Sequence, residues 1–311
     1  LAVEVAALLS AYAEERTETP AIDLLFAAPE GTPVQRAQAT REFVLRENPL
    51  ALVASFTDGA DAELAAVADE IGVPLLATLS SSPRSSVAPS AWLRDLCGGV
   101  IEQASALVRF VDSKPVALLH TDDAVAGAIA RRAGGVAPFD ATAVHGMEMH
   151  AFGAVLFAGA DQAMARVFDE MDSPEHWPAL LLAGAALPPS TFDRLRPSGG
   201  VWIALPTTSG DEHPSAMVEY LDLVRRHGIP TNYRFSQFAA LTSMQLFLDA
   251  VRRCGSDLTR QSLLRAVDDT RNFHSGLFPS LTYGEERHIG STGAWVLGVH
   301  KGRAGGAVWM D

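Results

Sequence analysis

The 311-residue sequence is poor in the features that carry most enzyme and nucleic-acid chemistry. Positive charge is in deficit: 24 Lys and Arg stand against 37 Asp and Glu, a formal net charge of −13. Such a surface repels phosphate backbones and anionic membranes, which argues against a nucleic-acid partner. Cysteine is scarce. Cys97 and Cys254 neither frame a disulfide scaffold nor show metal-ligand spacing, so they are silent on compartment. No apolar run approaches the length of a bilayer-spanning helix, because Gly, Pro or charge interrupts roughly every ten residues, and membrane insertion is not expected. No secretory leader is evident, since Leu1 opens directly into an amphipathic pattern. There is no Gly-x-Ser-x-Gly elbow, no motif-placed Cys–His pair and no glycine-rich phosphate loop after a strand. Enzyme chemistry is left without a carrier, and no cofactor is implied.

What is present is a globular composition, 48% apolar and 20% charged. The length exceeds one ordinary core and suits two domains of about 150 residues. Short β-type runs alternate with helical ones. Ala21–Phe26, Ala51–Phe56 and Leu75–Thr78 read as buried strands; Pro33–Glu47, capped by Thr32, and Ala60–Ile71 read as helices. A second series follows a helix over Gly98–Phe110: strands at Val116–His120, Ala154–Phe157, Ala179–Leu182 and Val201–Ala204, with helices at Ala124–Arg132 and Gln162–Met171. Strands that are apolar on both sides and flanked by helices are the signature of a parallel sheet covered on both faces. Helices over Pro214–His227, Phe235–Arg253 and Thr259–Val267 come next, and Leu281–Tyr283 and Ala294–His300 read as antiparallel strands. The first element, a helix over Ala2–Glu15, is unusual, because a doubly wound domain normally begins with a strand. A strand ahead of Leu1 is expected outside this chain or from elsewhere. No low-complexity linker separates the halves, which argues for lobes joined by several chain crossings.

His145, Glu148 and His150 invite a metal reading, but in a strand His145 and Glu148 point to opposite faces and no helical spacing unites the histidines; no metal site is expected. Asp122 and Asp123 fit either a cation or the cap of the next helix.

The stretch ALVASFTDGADAELAAVADEIGVPLLATLSSSP (Ala51–Pro83) resembles the leucine/isoleucine/valine-binding branch of periplasmic solute-binding proteins. So do HTDDAVAGAIAR (His120–Arg131), FAALTSMQLFLDAVRRCGSDLTRQSLLRAV (Phe238–Val267) and the closing FHSGLFPSLTYGEERHIGSTGAWVLGV. The resemblance implies an α/β fold of two doubly wound parallel-sheet lobes, type I periplasmic-binding-protein-like, joined by a multi-strand hinge and closing on a ligand in a cleft. It sets the lobes at residues 1–112 with 232–275 and 113–231 with 276–311. It also implies no enzyme activity, a small-molecule ligand, the membrane subunits of an ABC importer as partner, and a periplasmic or extracellular location, with or without a lipid anchor on a segment outside this chain.

Strand C-termini and helix N-termini would face the ligand, offering free backbone N–H groups at Gly59 and Ala60 and hydroxyls at Ser80, Ser81 and Ser82. At roughly 1.5–3 kcal/mol per charge-assisted hydrogen bond, a handful reaches the roughly −8 kcal/mol of a micromolar site. By resemblance, the family's carboxylate-binding serine falls on Asp58, its backbone contact on Leu79 and its second hydroxyl on Ser81. Asp58 suits an N-cap equally well. The two aromatic walls fall on Ala126 and Ala160, and the acidic partner of the ligand ammonium on Ala185. Phe238 covers the ligand or belongs to the core of its helix, and Arg84 pairs with an anion or lies exposed. The amino-acid grip is thus largely replaced, which points to a bulkier, more apolar ligand. The alternative is a sensor or protein-interaction module that kept the fold and lost the pocket.

Overall fold

The computed structural model describes residues 1–16, 22–57, 59–80, 90–111, 115–141, 151–158, 178–183, 200–300 and 303–310. These form two compact units. The first comprises residues 1–80, 90–97 and 209–291, the second residues 98–208 and 292–310, and the described chain passes from one to the other after Cys97, Thr208 and Ser291. This division moves three segments from where the sequence reading set them. Residues 98–112 go to the second unit, because the helix they contain packs on that unit's sheet; 209–231 and 276–291 go to the first, through a helix packed on the N-terminal one and a strand in the first sheet.

The first unit is built on a four-stranded parallel sheet, β1 (Leu52–Val53), β2 (Leu75–Thr78), β3 (Leu93–Cys97) and β9 (Ile289–Ser291), in that order. One face carries α2 (Pro33–Glu47) and α3 (Asp61–Ile71), whose Ala37, Leu64, Val67 and Ala68 meet Leu75 and Leu93. The larger core is organised by α7 (Arg234–Cys254), which packs on β1 and β2 and against α1 (Ala2–Glu14) and α8 (Arg260–Asp268); α6 (Pro214–Arg226) lies on α1. Local chemistry sets the helix ends. Thr32 and Gln35 close a reciprocal capping box ahead of Pro33, and α2 stops at Asn48 in the left-handed region, φ 48°. Thr259 and Ser262 form a second box at α8.

Ala21–Phe26 does not form the expected strand. Residues 22–30 have no regular structure and, among the described residues, no hydrogen bonds. A strand exists only with a neighbour to bond, and here Leu25 and Phe26 remain about half exposed, at 53% and 48%. The strand expected over Ala51–Phe56 is also shortened. Ala54 adopts φ 53°, interrupting the ladder, which resumes only in the single bridge Phe56–Leu79.

The second unit holds a seven-stranded sheet in the order β11-β10-β8-β7-β6-β4-β5. Its parallel part is β5 (Val136–Asp140), β4 (Val116–His120), β6 (Ala154–Ala158), β7 (Ala179–Ala183) and β8 (Val201–Leu205); β10 (Ala294–His300) and β11 (Arg303–Met310) extend it antiparallel. Leu118, Leu156, Leu181 and Ala204 face α4 (Val100–Phe110) and α5 (Asp123–Ala133), while Leu119, Val155, Phe157, Leu182 and Ile203 form a core on the other side. Strands β3, β5, β9 and β11 are additions to the sequence reading. Leu281–Tyr283 forms one bridge, Phe273–Leu281, in place of a strand. The helix expected over Gln162–Met171 lies outside the described residues.

Candidate functional site

In the first unit the C-terminal ends of β1 and β2 converge on the start of α3. Leu79 N–H donates to Ser55 O at 2.9 Å and Thr57 N–H to Leu79 O at 3.2 Å, drawing the two chains together beyond the regular ladder. Ala60 N–H then closes a turn on Thr57 O at 2.9 Å. The turn needs Gly59, whose φ of 84° is costly for any side chain. Space around it is open, with no heavy atom within 4 Å of where a Cβ would stand. From here the first backbone N–H groups of α3 point outward, unsatisfied within the helix.

Behind the turn the side chains are polar and buried. Thr57 is fully buried, and its hydroxyl has one proton, donated to Asp61 Oδ1 at 2.7 Å; Leu79 O stands at 3.3 Å from the same oxygen. Asp61 is 6% exposed, and its second oxygen, Oδ2, is buried without a hydrogen-bond partner. Ser80 closes the strand end, also buried.

A second layer holds the strand ends in place. Thr78 Oγ1 donates to Asp95 Oδ1, and Tyr283 Oη donates to Asp95 O at 2.9 Å. Burial, reinforced by the Asp95 charge, pushes the Tyr283 phenol well above the usual tyrosine range, so it stays protonated and a donor. Arg94, 3% exposed on β3, pairs bidentately with Asp268 at 2.5 and 2.8 Å. Ser243 of α7 reaches Ala77 O at 2.9 Å.

Of the residues expected at a ligand site, the structure brings together Gly59, Leu79 and Ser80. Ala126 is 2% exposed on the core-facing side of α5, and Phe238, 4% exposed, sets its ring edge-on to Tyr220 at 4.9 Å in the core of the first unit. Asp58, Ser81, Ser82, Ala160 and Ala185 lie outside the described residues, as do Arg84, His145, Glu148 and His150. Asp122 caps α5, accepting from Ala124 and Val125 N–H at 2.8 and 3.1 Å. The sequence reading missed Thr57 and Asp61. Their four-residue spacing across a glycine turn is the signal that was available. Among the described residues no group of three His, Cys, Asp or Glu could hold a metal, both cysteines are free thiols, and no helix is long and apolar enough to cross a membrane.

No protein-family model matches the chain, and no curated sequence is significantly similar to it. Solved structures match its fold over nearly its whole length. An ABC transporter substrate-binding protein from Desulfitobacterium hafniense in complex with Leu is 15% identical, with a TM-score of 0.73 over 98% of this chain and 95% of that one. A branched-chain amino acid ABC transporter from Thermus thermophilus with bound valine is 17% identical, at 0.72 over 98% and 90%. The branched-chain amino acid transporter substrate-binding protein LivJ from Streptococcus pneumoniae, in complex with isoleucine, is 14% identical, at 0.70 over 99% and 93%. The chain has the type I periplasmic-binding-protein fold.

Proposed function

We propose that this chain is an extracytoplasmic solute-binding protein that captures a small organic molecule and delivers it to the membrane subunits of an ABC importer, without catalysing a reaction. The observation that carries the reading is the fold likeness, which spans 98% or more of this chain against three transporter binding proteins with amino acids bound. The strand ends of the first unit support it independently. An open glycine turn, free N–H groups at the head of α3 and the buried Ser80 hydroxyl sit where an open α/β sheet presents its ligands. The proposed contacts are the backbone of Gly59 and Leu79 and the hydroxyl of Ser80, with Asp58, Ser81 and Ser82 beside them in sequence.

Binding to the native state alone raises the melting temperature, so a thermal-shift screen over amino acids, amines, carboxylic acids and short peptides tests the reading. A concentration-dependent rise for one chemical series, reduced by Ser80→Ala, is the expected result. A flat response across the screen would favour the sensor or protein-interaction module instead.

A further inference from the structure

We infer that the ligand of this site presents a positively charged hydrogen-bond donor, an ammonium, amidinium or guanidinium, to the carboxylate of Asp61. The inference rests on the solute-binding reading and names the ligand class. Asp61 is an ionisable side chain 6% exposed, with Thr57 Oγ1 on one oxygen and nothing on the other. Among the described residues no Arg, Lys or His forms an ion pair with it. A buried carboxylate without a cation is unfavourable, because desolvation is uncompensated, and native proteins rarely leave such an oxygen unpaired unless a ligand or water supplies the partner. The head of α3 offsets part of that cost through its exposed N–H groups.

Thr57 holds the carboxyl against the end of β2, and the turn two residues before Asp61 leaves open space beside Gly59. The same arrangement disfavours a ligand carboxylate. An anion at the head of α3 meets the Asp61 charge at short range in a partly desolvated setting, where like charges repel strongly. The valine, leucine and isoleucine of the neighbouring proteins carry a carboxylate that this site is not built to accept.

Three probes that share an isobutyl group separate the possibilities: isoamylamine, leucine and isovalerate, which are cation, zwitterion and anion, with agmatine added for a guanidinium. Melting temperature and calorimetry at up to about millimolar probe should rank cation above zwitterion above anion. Asp61→Asn keeps an acceptor for Thr57 and removes the charge. It should weaken the amine about tenfold or more and leave isovalerate unchanged or improved. The unliganded Asp61→Asn protein should melt no lower than the parent, since the variant relieves an unpaired buried charge; a large drop would show that the carboxylate is structural and overturn the inference. If isovalerate or leucine binds and the amines do not, the cation inference fails while solute binding stands. If no probe of either charge binds, the cation inference fails, and the broader thermal-shift screen decides whether solute binding stands. The wild-type ranking decides the matter even if the variant does not fold.

Discussion

Two sheets in one chain differ in how fully their strands are partnered. In the second unit β4 is paired along all five of its residues with β5 on one side and β6 on the other, and both β4 and β6 are buried throughout. In the first unit β1 is two residues long, bonded on one side to β2, and followed by an alanine in the left-handed region. Earlier in the same unit, ahead of α2, stands a β-type segment, residues 22–26, that bonds to nothing described. The regular sheet is a scaffold. The irregular one carries the open turn, the backbone N–H groups without partners and the buried polar side chains from which a binding site can be made. Local strain and incomplete pairing gather where function is proposed, as stored strain at functional sites leads one to expect.

The largest test of this contrast is truncation of matched leucines. Leu156, fully buried on an interior strand of the seven-stranded sheet, should cost about 2–5 kcal/mol as Leu156→Ala, because the cavity cannot collapse between two covered faces. Leu52, half-buried on β1, should cost about 1 kcal/mol or less as Leu52→Ala. Denaturant melts read with hydrogen exchange in each unit would check both; equal losses would break the contrast.

A smaller effect separates the outer strands. A Cβ on Gly290 of β9 would stand 2.6 Å from Tyr283 Oη and 2.9 Å from Leu96 O, so a backbone atom would have to move. Gly290→Ala should destabilise by about 1–3 kcal/mol and loosen the Tyr283–Asp95 contact behind the candidate site. Gly306 of β11 has nothing within 4 Å, and Gly306→Ala should change stability by about 0.5 kcal/mol at most, or raise it slightly by restricting the unfolded chain. Thermal melts of the two variants suffice, and a large loss at Gly306 would show that β11 is not an open edge.

Much of this fold was legible where local signals and burial agree. The Thr32–Pro33 start of α2, the Gly255 stop of α7 and the apolar runs of β4, β6 and β7 each satisfy propensity and packing together. Ala21–Phe26 misled because its alternation is real, but a strand is a property of two segments. Strand β3 was hidden by Arg94 and Asp95, charges that look exposed and are buried by bonds to Asp268 and Thr78, the first of them 174 residues distant. Gly305 and Gly306 disguised β11 as a turn. At the proposed site, the turn at Gly59 was readable from the strand–turn–helix pattern, whereas the burial of Asp61 was not: it depends on Thr57 turning inward, which sequence does not state.

The smallest test concerns acid, and it falls on the first unit. Glu15, at the end of α1, receives Arg226 Nε and Nη2 at 3.0 and 2.6 Å and faces His227 Nε2 at 2.9 Å, tying α1 to the end of α6. These hydrogen bonds, Arg226 first and His227 second, hold its carboxyl below the ordinary value of 4.5. A carboxylate with a depressed folded pKa binds fewer protons folded than unfolded at acid pH. Its contribution is therefore complete above about 4.5 and lost as the pH falls through the lower folded value. Because the group is exposed, the contribution is small and screened by salt. Glu15→Gln should lower the melting temperature slightly at neutral pH, and the gap from the parent should close on acidification below 4.5 and narrow in high salt. In the second unit Arg132 and Glu102 stand 3.7 Å apart, with Glu102 Oε2 accepting from Gly99 N–H, a longer contact with no matching bidentate geometry. A gap at Glu15 that stays constant from neutral to acid would mean that the side chain acts through packing of α1 on α6, and the acid sensitivity of the first unit would have to come from elsewhere.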